Sequence, residues 1–273
     1  MAASTPFKGA CRLMEQVLLQ RLQHAVLTIS FNRPEARNAW NHALEDALRA
    51  ALLAADANPE VRVIVLTGAG KTFCPGPDPK AISSGQSHRE VEVSRNDFDQ
   101  RHSYMLGLRK PLIAAINGAA AGVGFCLTLY CDLRFISENA RLTTAFSRRG
   151  LVAEHGSAWM LPRLIGWMNA SDLLLSGRIV SGREAESLGL ARCLAGEDFL
   201  ASVEAYARDL AQSCSPRSMM IIKGQLREAW SQSLAQATAV STQETSLSIG
   251  SEDVTEGIAH FLEKRPARFP WLR

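Results

Sequence analysis

Two glycine-bearing loops carry the residues whose types and spacing could do chemistry. The first is Gly68-Ala69-Gly70-Lys71-Thr72-Phe73-Cys74-Pro75-Gly76-Pro77-Asp78. Glycines at the end of a strand let a backbone come close to a ligand. N–H groups displayed there can stabilise a developing oxyanion. A plain surface loop has the same composition. The second loop is Asn117-Gly118-Ala119-Ala120-Ala121-Gly122-Val123-Gly124, which leads directly into an apolar helical run at 125–130. A helix N-terminus offers free N–H donors and the positive end of a dipole. That suits a carbonyl oxygen gaining charge. A tight strand-to-helix turn, with glycines for close packing, reads the same way. Six cysteines (Cys11, Cys74, Cys126, Cys131, Cys193, Cys214) include no C-x-x-C pair. That spacing points to neither a metal site nor a disulfide framework.

The elements that position these loops follow from hydrophobic pattern. Residues 17–22 and 24–31 are β-rich runs joined by a tight connection and read as a hairpin. Pro34 ends the second strand. Residues 41–55 are rich in Ala and Leu at helical spacing, with Asn41 or Asn38 as the cap. Residues 61–67 are a continuous β-branched run, as in a strand buried on both faces. Residues 76–86 read as loop and 88–108 as a polar helix. The rhythm then repeats: strand at 111–116, turn at Asn117-Gly118, helix at 123–130, strand at 133–137. This is the α/β pattern. From about Phe199 the strands stop, and 200–214, 216–230, 234–249 and 254–262 all read as helices. That all-helical tail could be a lid or an assembly surface.

The chain has 273 residues, 47% of them hydrophobic, enough for one large domain or a domain with an appendage. Its formal charge of +3, from 30 basic and 27 acidic residues, gives no reason to expect nucleic acid as a partner. No apolar run reaches bilayer length, and residues 1–15 lack the apolar core of a secretory signal. The cytoplasm is the expected location. A transit peptide is left open by Lys8, Arg12 and the acid-poor start.

Taken together, the two loops resemble the paired signature of the enoyl-CoA hydratase/isomerase (crotonase) family. Further motifs in matching order extend the resemblance from about Gln16 to Phe269. They are Asn32-Arg33-Pro34 with Asn38-Ala39, Cys131-Asp132-Leu133, and Gly150-Leu151 followed by Leu161-Pro162-Arg163-Leu164-Ile165-Gly166. Ser176-Gly177-Arg178, Ala185-Glu186-Ser187-Leu188-Gly189-Leu190 and Phe261-Leu262-Glu263-Lys264-Arg265 complete the set. The resemblance implies an α/β fold: a crotonase-like spiral of ββα units over 1–198, with an all-helical C-terminal trimerisation region at 199–273 that also covers the active site. It implies a homotrimer or homohexamer acting on acyl-CoA thioesters in fatty acid metabolism. Coenzyme A then arrives as part of the substrate, and no separate cofactor or metal is expected, nor a membrane partner. One backbone N–H from each loop polarises the thioester carbonyl, at positions aligned with Pro77 and Val123. Substrate contacts are implied at Ala36, Arg37, Pro75, Gly76, Asp78, Gly122 and Phe146.

This sequence departs from the family pattern at several of these positions. Proline has no backbone N–H, so the first donor is missing at Pro77. Either Asp78 or Gly76 substitutes, or the hole has one donor. The two glutamates of family hydratases align with Cys126 and Phe146, neither of which can act as a carboxylate. Cys126, on an apolar helix, reads as a buried thiol rather than a nucleophile. Glu154, in Gly150-Leu151-Val152-Ala153-Glu154-His155-Gly156, aligns with the acid used by double-bond isomerases of the family. A single carboxylate can remove a proton alpha to a thioester and return it elsewhere. It could equally serve as an anion at the N-terminus of a helix starting near Ser157. His155 could orient Glu154 or act itself, although an exposed or core-satisfied histidine is the commoner reading of such a residue. The expectation is an isomerase. The alternatives are a specialised hydratase, a C–C hydrolase, or a degenerate acyl-CoA binder.

Overall fold

The computed structural model describes residues 16–78 and 96–271. The chain opens with the hairpin β1 (Leu18–Gln23) and β2 (Val26–Phe31), closed by His24 and Ala25 in left-handed conformation. Helix α1 (His42–Ala57) follows, and the Asn41 side chain accepts from Leu44 N at 2.9 Å to cap it. Asn38, the other candidate cap, has a different task described below. Next come β3 (Val63–Gly68), β4 (Thr72–Cys74), the one-turn helix α2 (Tyr104–Gly107), β5 (Leu112–Ile116), β6 (Ala119–Ala121) and α3 (Val123–Leu129). Then β7 (Leu133–Ser137), β8 (Arg141–Thr143), α4 (Ser157–Ile165), α5 (Trp167–Ser176), β9 (Val180–Ser181), α6 (Gly182–Ser187) and β10 (Arg192–Leu194) complete the body.

Six strands form one sheet in the order β1-β2-β3-β5-β7-β10, parallel from β2 onward. Four short strands form a second sheet in the order β4-β6-β8-β9. Strands β5 and β7 of the large sheet each turn into a strand of the small one, β6 and β8, and the chain leaves the small sheet toward α3 and α4. Strands β3 and β5 are buried along their whole length. Their unbroken apolar composition follows from having a hydrophobic layer on each face. One layer is packed by α1, α3 and α4 through residues such as Leu44, Leu48, Phe125 and Met160. The other sets Val26, Val63, Val65 and Ile113 against Phe199, Val203 and Ala207 of α7 (Phe199–Ser213). The first helix of the C-terminal series therefore covers the sheet. Helices α8 (Pro216–Glu228), α9 (Leu234–Ile249) and α10 (Glu252–Glu263) follow it. Lys223 of α8 reaches back to Asp132 at 2.7 Å and to Lys110 O at 2.9 Å.

Three local expectations need correction. Residues 119–121 are a strand, β6, rather than part of a continuous loop, and β4 lies inside the first glycine loop. Both are three residues long, too short to show a period. The expected helix at 88–108 lies outside the described residues up to 95. Beyond that, 96–103 form bends and turns, and only Tyr104–Gly107 is helical. No helix of the described residues is long and apolar enough to cross a membrane.

Candidate active site

The first loop is built as a strand edge. Trp40 and Pro77 form a parallel bridge, in which Trp40 N donates to Gly76 O at 2.8 Å and Asp78 N donates to Trp40 O at 2.8 Å. Successive amides of an extended chain point to opposite sides. The Pro77 nitrogen therefore faces away from Trp40, where a hole donor would be needed, and carries no hydrogen. Neither expected substitute is available. Asp78 N is taken by Trp40 O, and Gly76 N–H faces the Cys74 thiol. Among the described residues 75–78, no backbone N–H is left for a ligand. The Asp78 carboxylate is also engaged, by Arg33 at 2.9 Å. Asn38 is fully buried and ties the preceding segment to the loop. It accepts from Arg33 N and donates to Ala69 O at 2.9 Å and Thr72 O at 2.7 Å.

The second loop delivers its donor. Val123 is the first residue of α3, so its N–H has no acceptor within the helix. Gly122 precedes it at φ 52°, ψ −121° and bonds Thr143 O through its own N–H. The helix lies very close to β4: a Cβ on Gly124 would sit 2.1 Å from Cys74 O. Only glycine permits that approach, and it brings the Val123 amide beside the first loop.

Glu154 sits on a turn held by the same helix. Cys126 Sγ lies 3.8 Å from Glu154 O, and Tyr130 Oη donates to His155 O at 2.6 Å. Cys126 and Tyr130 are four residues apart and share one helix face. Ser157 completes the turn, donating through N at 3.0 Å and Oγ at 2.7 Å to Glu154 O. His155 is held in left-handed conformation at φ 53°, which costs a non-glycine residue about 1–2 kcal/mol. The Glu154 side chain is 36% exposed, and its Oε2 lies 3.6 Å from His155 Nε2. Burial pushes His155 down to about 4, with Arg101 acting in the same direction, so the imidazole is neutral at pH 7. Burial pushes the Cys126 thiol up to about 12, which removes it as a nucleophile at neutral pH.

A buried polar group stands behind this turn. The His102 ring packs against His155 at 4.9 Å and against Trp40 at 5.9 Å. Glu45 receives Arg101 Nε at 2.6 Å and Trp40 Nε1 at 3.3 Å. A cavity of about 220 Å³ opens beside these residues and Tyr104. The sequence pattern did not single out His102, Arg101, Glu45, Trp40 or Tyr130. Only tertiary packing makes them neighbours. Among the implied substrate contacts, Pro75, Gly76, Asp78 and Gly122 belong to the two loops. Arg37 is exposed on a short turn, where its N–H and that of Ala36 are bonded internally to Pro34 O and Arg33 O. Phe146 is buried in the main apolar layer. Among the described residues, no group of three or more His, Cys, Asp or Glu side chains is placed to hold a metal ion.

The spiral of strand–turn–strand–helix units, with a helix N-terminus set against a glycine loop, is the crotonase fold. A family model described as enoyl-CoA hydratase/isomerase matches residues 21–271. The chain is 31% identical to a 1,2-epoxyphenylacetyl-CoA isomerase of Escherichia coli (strain K12), covering 94% of this chain and 99% of that one. It is 34% identical to a probable enoyl-CoA hydratase of Rhizobium meliloti, covering 93% and 98%. A crystal structure of a probable enoyl-CoA hydratase/isomerase from Mycobacterium abscessus superposes with a TM-score of 0.85 at 33% identity, over 93% and 98%. This chain belongs to the enoyl-CoA hydratase/isomerase family.

The packing of Tyr130 on the Glu154–Gly156 turn can be tested directly. A Cβ on Gly156 would meet Tyr130 Oη at 2.5 Å, and Gly156 lies at φ 68°. Gly156→Ala is expected to destabilise the protein by more than the roughly 1 kcal/mol of left-handed alanine strain. Adding Tyr130→Phe removes the clashing oxygen and should recover part of the loss. Thermal melting of the two single variants and the double variant measures this, and strict additivity would contradict it.

Proposed function

We propose that this family member is an acyl-CoA isomerase that moves a double bond through an enolate, with Glu154 as the acid/base. For a 3-enoyl-CoA, Glu154 takes a proton from C2. The C2–H pair becomes the C1=C2 bond of a dienolate as the carbonyl π pair moves onto the thioester oxygen; the carbonyl then re-forms, C2=C3 forms, and the C3=C4 pair takes the proton that Glu154 returns to C4, giving the 2-enoyl isomer. Val123 N–H faces the developing oxyanion. The single observation that carries this reading is the carboxylate inventory. Glu154 is presented on a turn packed against α3, beside a neutral imidazole. The positions aligned with the two hydratase glutamates hold the buried, non-acidic Cys126 and Phe146. That one relative bears the name of an isomerase supports the reading. Other relatives are named hydratases. Acyl-CoA would enter past Ala36, Arg37 and Pro75, with its thioester between the two loops.

A second reading is an acyl-CoA binder without turnover. The absence of any free N–H at 75–78 favours it. Glu154→Gln separates the two. The isomerase reading expects kcat on a 3-enoyl-CoA to fall by about 10²-fold or more, within the usual range for a lost general acid/base, with KM little changed. Calorimetric binding of acyl-CoA with no turnover by the unmodified protein would support the binder instead.

Pro77→Ala tests the hole. Alanine restores a hydrogen on the nitrogen facing away from Trp40. One hole donor commonly contributes about 10²-fold or more to rate, so kcat should rise at least about tenfold. An unchanged kcat would mean that position 77 does not border the thioester oxygen.

The homotrimer or homohexamer implied by the family is retained as part of this proposal. Leu234, Phe261 and Leu262 on the C-terminal helices are 84%, 76% and 71% exposed, and large apolar side chains left open on helices are what an assembly surface would cover. Sedimentation at micromolar concentration should give three or six copies, and a monomer would refute it.

A further inference from the structure

We propose that His155, backed by His102, is the positioning residue of the catalytic carboxylate: Nε2–H of His155 anchors Oε2 of Glu154 and leaves the other oxygen to carry the proton. This rests on the reading of Glu154 as the acid/base, and extends it to a residue that chemistry alone would not require.

The geometry supports the assignment from both sides of the ring. His155 Nε2 is the polar atom facing Glu154 Oε2, at 3.6 Å, with the His155 side chain 13% exposed against 36% for Glu154. That separation exceeds a hydrogen bond, but catalytic contacts of this kind commonly tighten only when substrate closes on them. The backbone under the ring is fixed by Tyr130 Oη on His155 O. The far side of the ring is closed by His102, at 4.9 Å and an interplanar angle of 62°. His102 is 3% exposed, and its Nε2 has no partner among the described residues. A buried ring nitrogen left unpaired is a cost that apolar packing would have avoided. The pair of rings is held in turn by Trp40, whose Nε1 donates to Glu45.

The charges around the ring favour the same role. Arg101 and Glu45, bound to each other, act on the ring with opposite sign, and Glu154 faces its Nε2. Burial keeps both imidazoles neutral at pH 7. An uncharged donor fixes the orientation of a carboxylate. It also avoids the larger loss of basicity that an imidazolium would impose. A base needs both properties.

These measurements decide the point. The ¹⁵N chemical shifts of His155, assigned by difference from His155→Gln, should show the Nε2–H tautomer in the unmodified protein, and an Nδ1–H tautomer would overturn the proposal. His155→Leu should lower kcat on a 3-enoyl-CoA by about tenfold with KM within about twofold, the signature of lost orientation rather than lost binding. His155→Gln keeps a donor and should restore most of kcat, and a glutamine variant no better than leucine would count against the idea. His102→Leu leaves His155 in place, so it serves if His155→Leu does not fold. It should lower kcat severalfold, and an unchanged value would overturn the backing role. Activity in Glu154→Gln equal to the unmodified enzyme would sink the acid/base reading itself. A dead Glu154→Gln with fully active His155→Leu would sink only the positioning role.

Discussion

Helix α3 is the member on which the site depends. All seven of its residues, Val123–Leu129, are buried. Phe125, Leu127 and Leu129 are each 1% exposed or less, and burial of a side chain of this size is worth about 1.5–3 kcal/mol. Such a helix cannot shift without opening the main apolar layer. Its depth is set by the contact of Gly124 with Cys74 O. Two functions then follow from one rigid body. The N-terminus presents the Val123 amide, and the face bearing Cys126 and Tyr130 grips the carbonyls of Glu154 and His155. The distance between the Val123 amide and the Glu154 turn is thereby fixed by helix geometry rather than by loop conformation.

The first loop is rigid for a different reason. Pro75 and Pro77 fix their own φ angles, the Trp40 bridge takes the amides on one side, and Arg33 and Asn38 tie down what remains. Rigidity here costs hydrogen-bonding capacity. Every N–H in the segment is either absent or already used. The asymmetry between the loops is thus chemical rather than conformational: both are well placed, and one has lost its donor.

Much of this was legible in the sequence, and the limits are physical. The β-branched run at β3 and the apolar helix after Gly122 announce themselves locally, because burial on both faces needs unbroken apolar sequence. Three of the four C-terminal helices show through an apolar face at helical spacing, whereas Leu234–Ile249, which has no buried residue, shows through composition and its Ser233 cap alone. Strands β4, β6 and β8 are three residues each and present no period to read. Pro77 as a missing donor is visible from residue type alone. That Asp78 cannot replace it depends on Trp40, and pairing across that distance leaves no local trace. Likewise, Glu154 stands in a recognisable motif, while His102 lies 53 residues before His155 in a segment that reads only as polar helix.

The buried charges beside the site make sense as one balanced group. Burial pushes the Glu45 carboxyl up, and the Arg101 guanidinium bound to it more than reverses this, leaving it below its ordinary range. An unpaired Arg101 would leave a positive charge beside the buried His155 ring, and an unpaired Glu45 would draw a proton onto it. Held together at 2.6 Å, the two satisfy one another while both imidazoles stay uncharged.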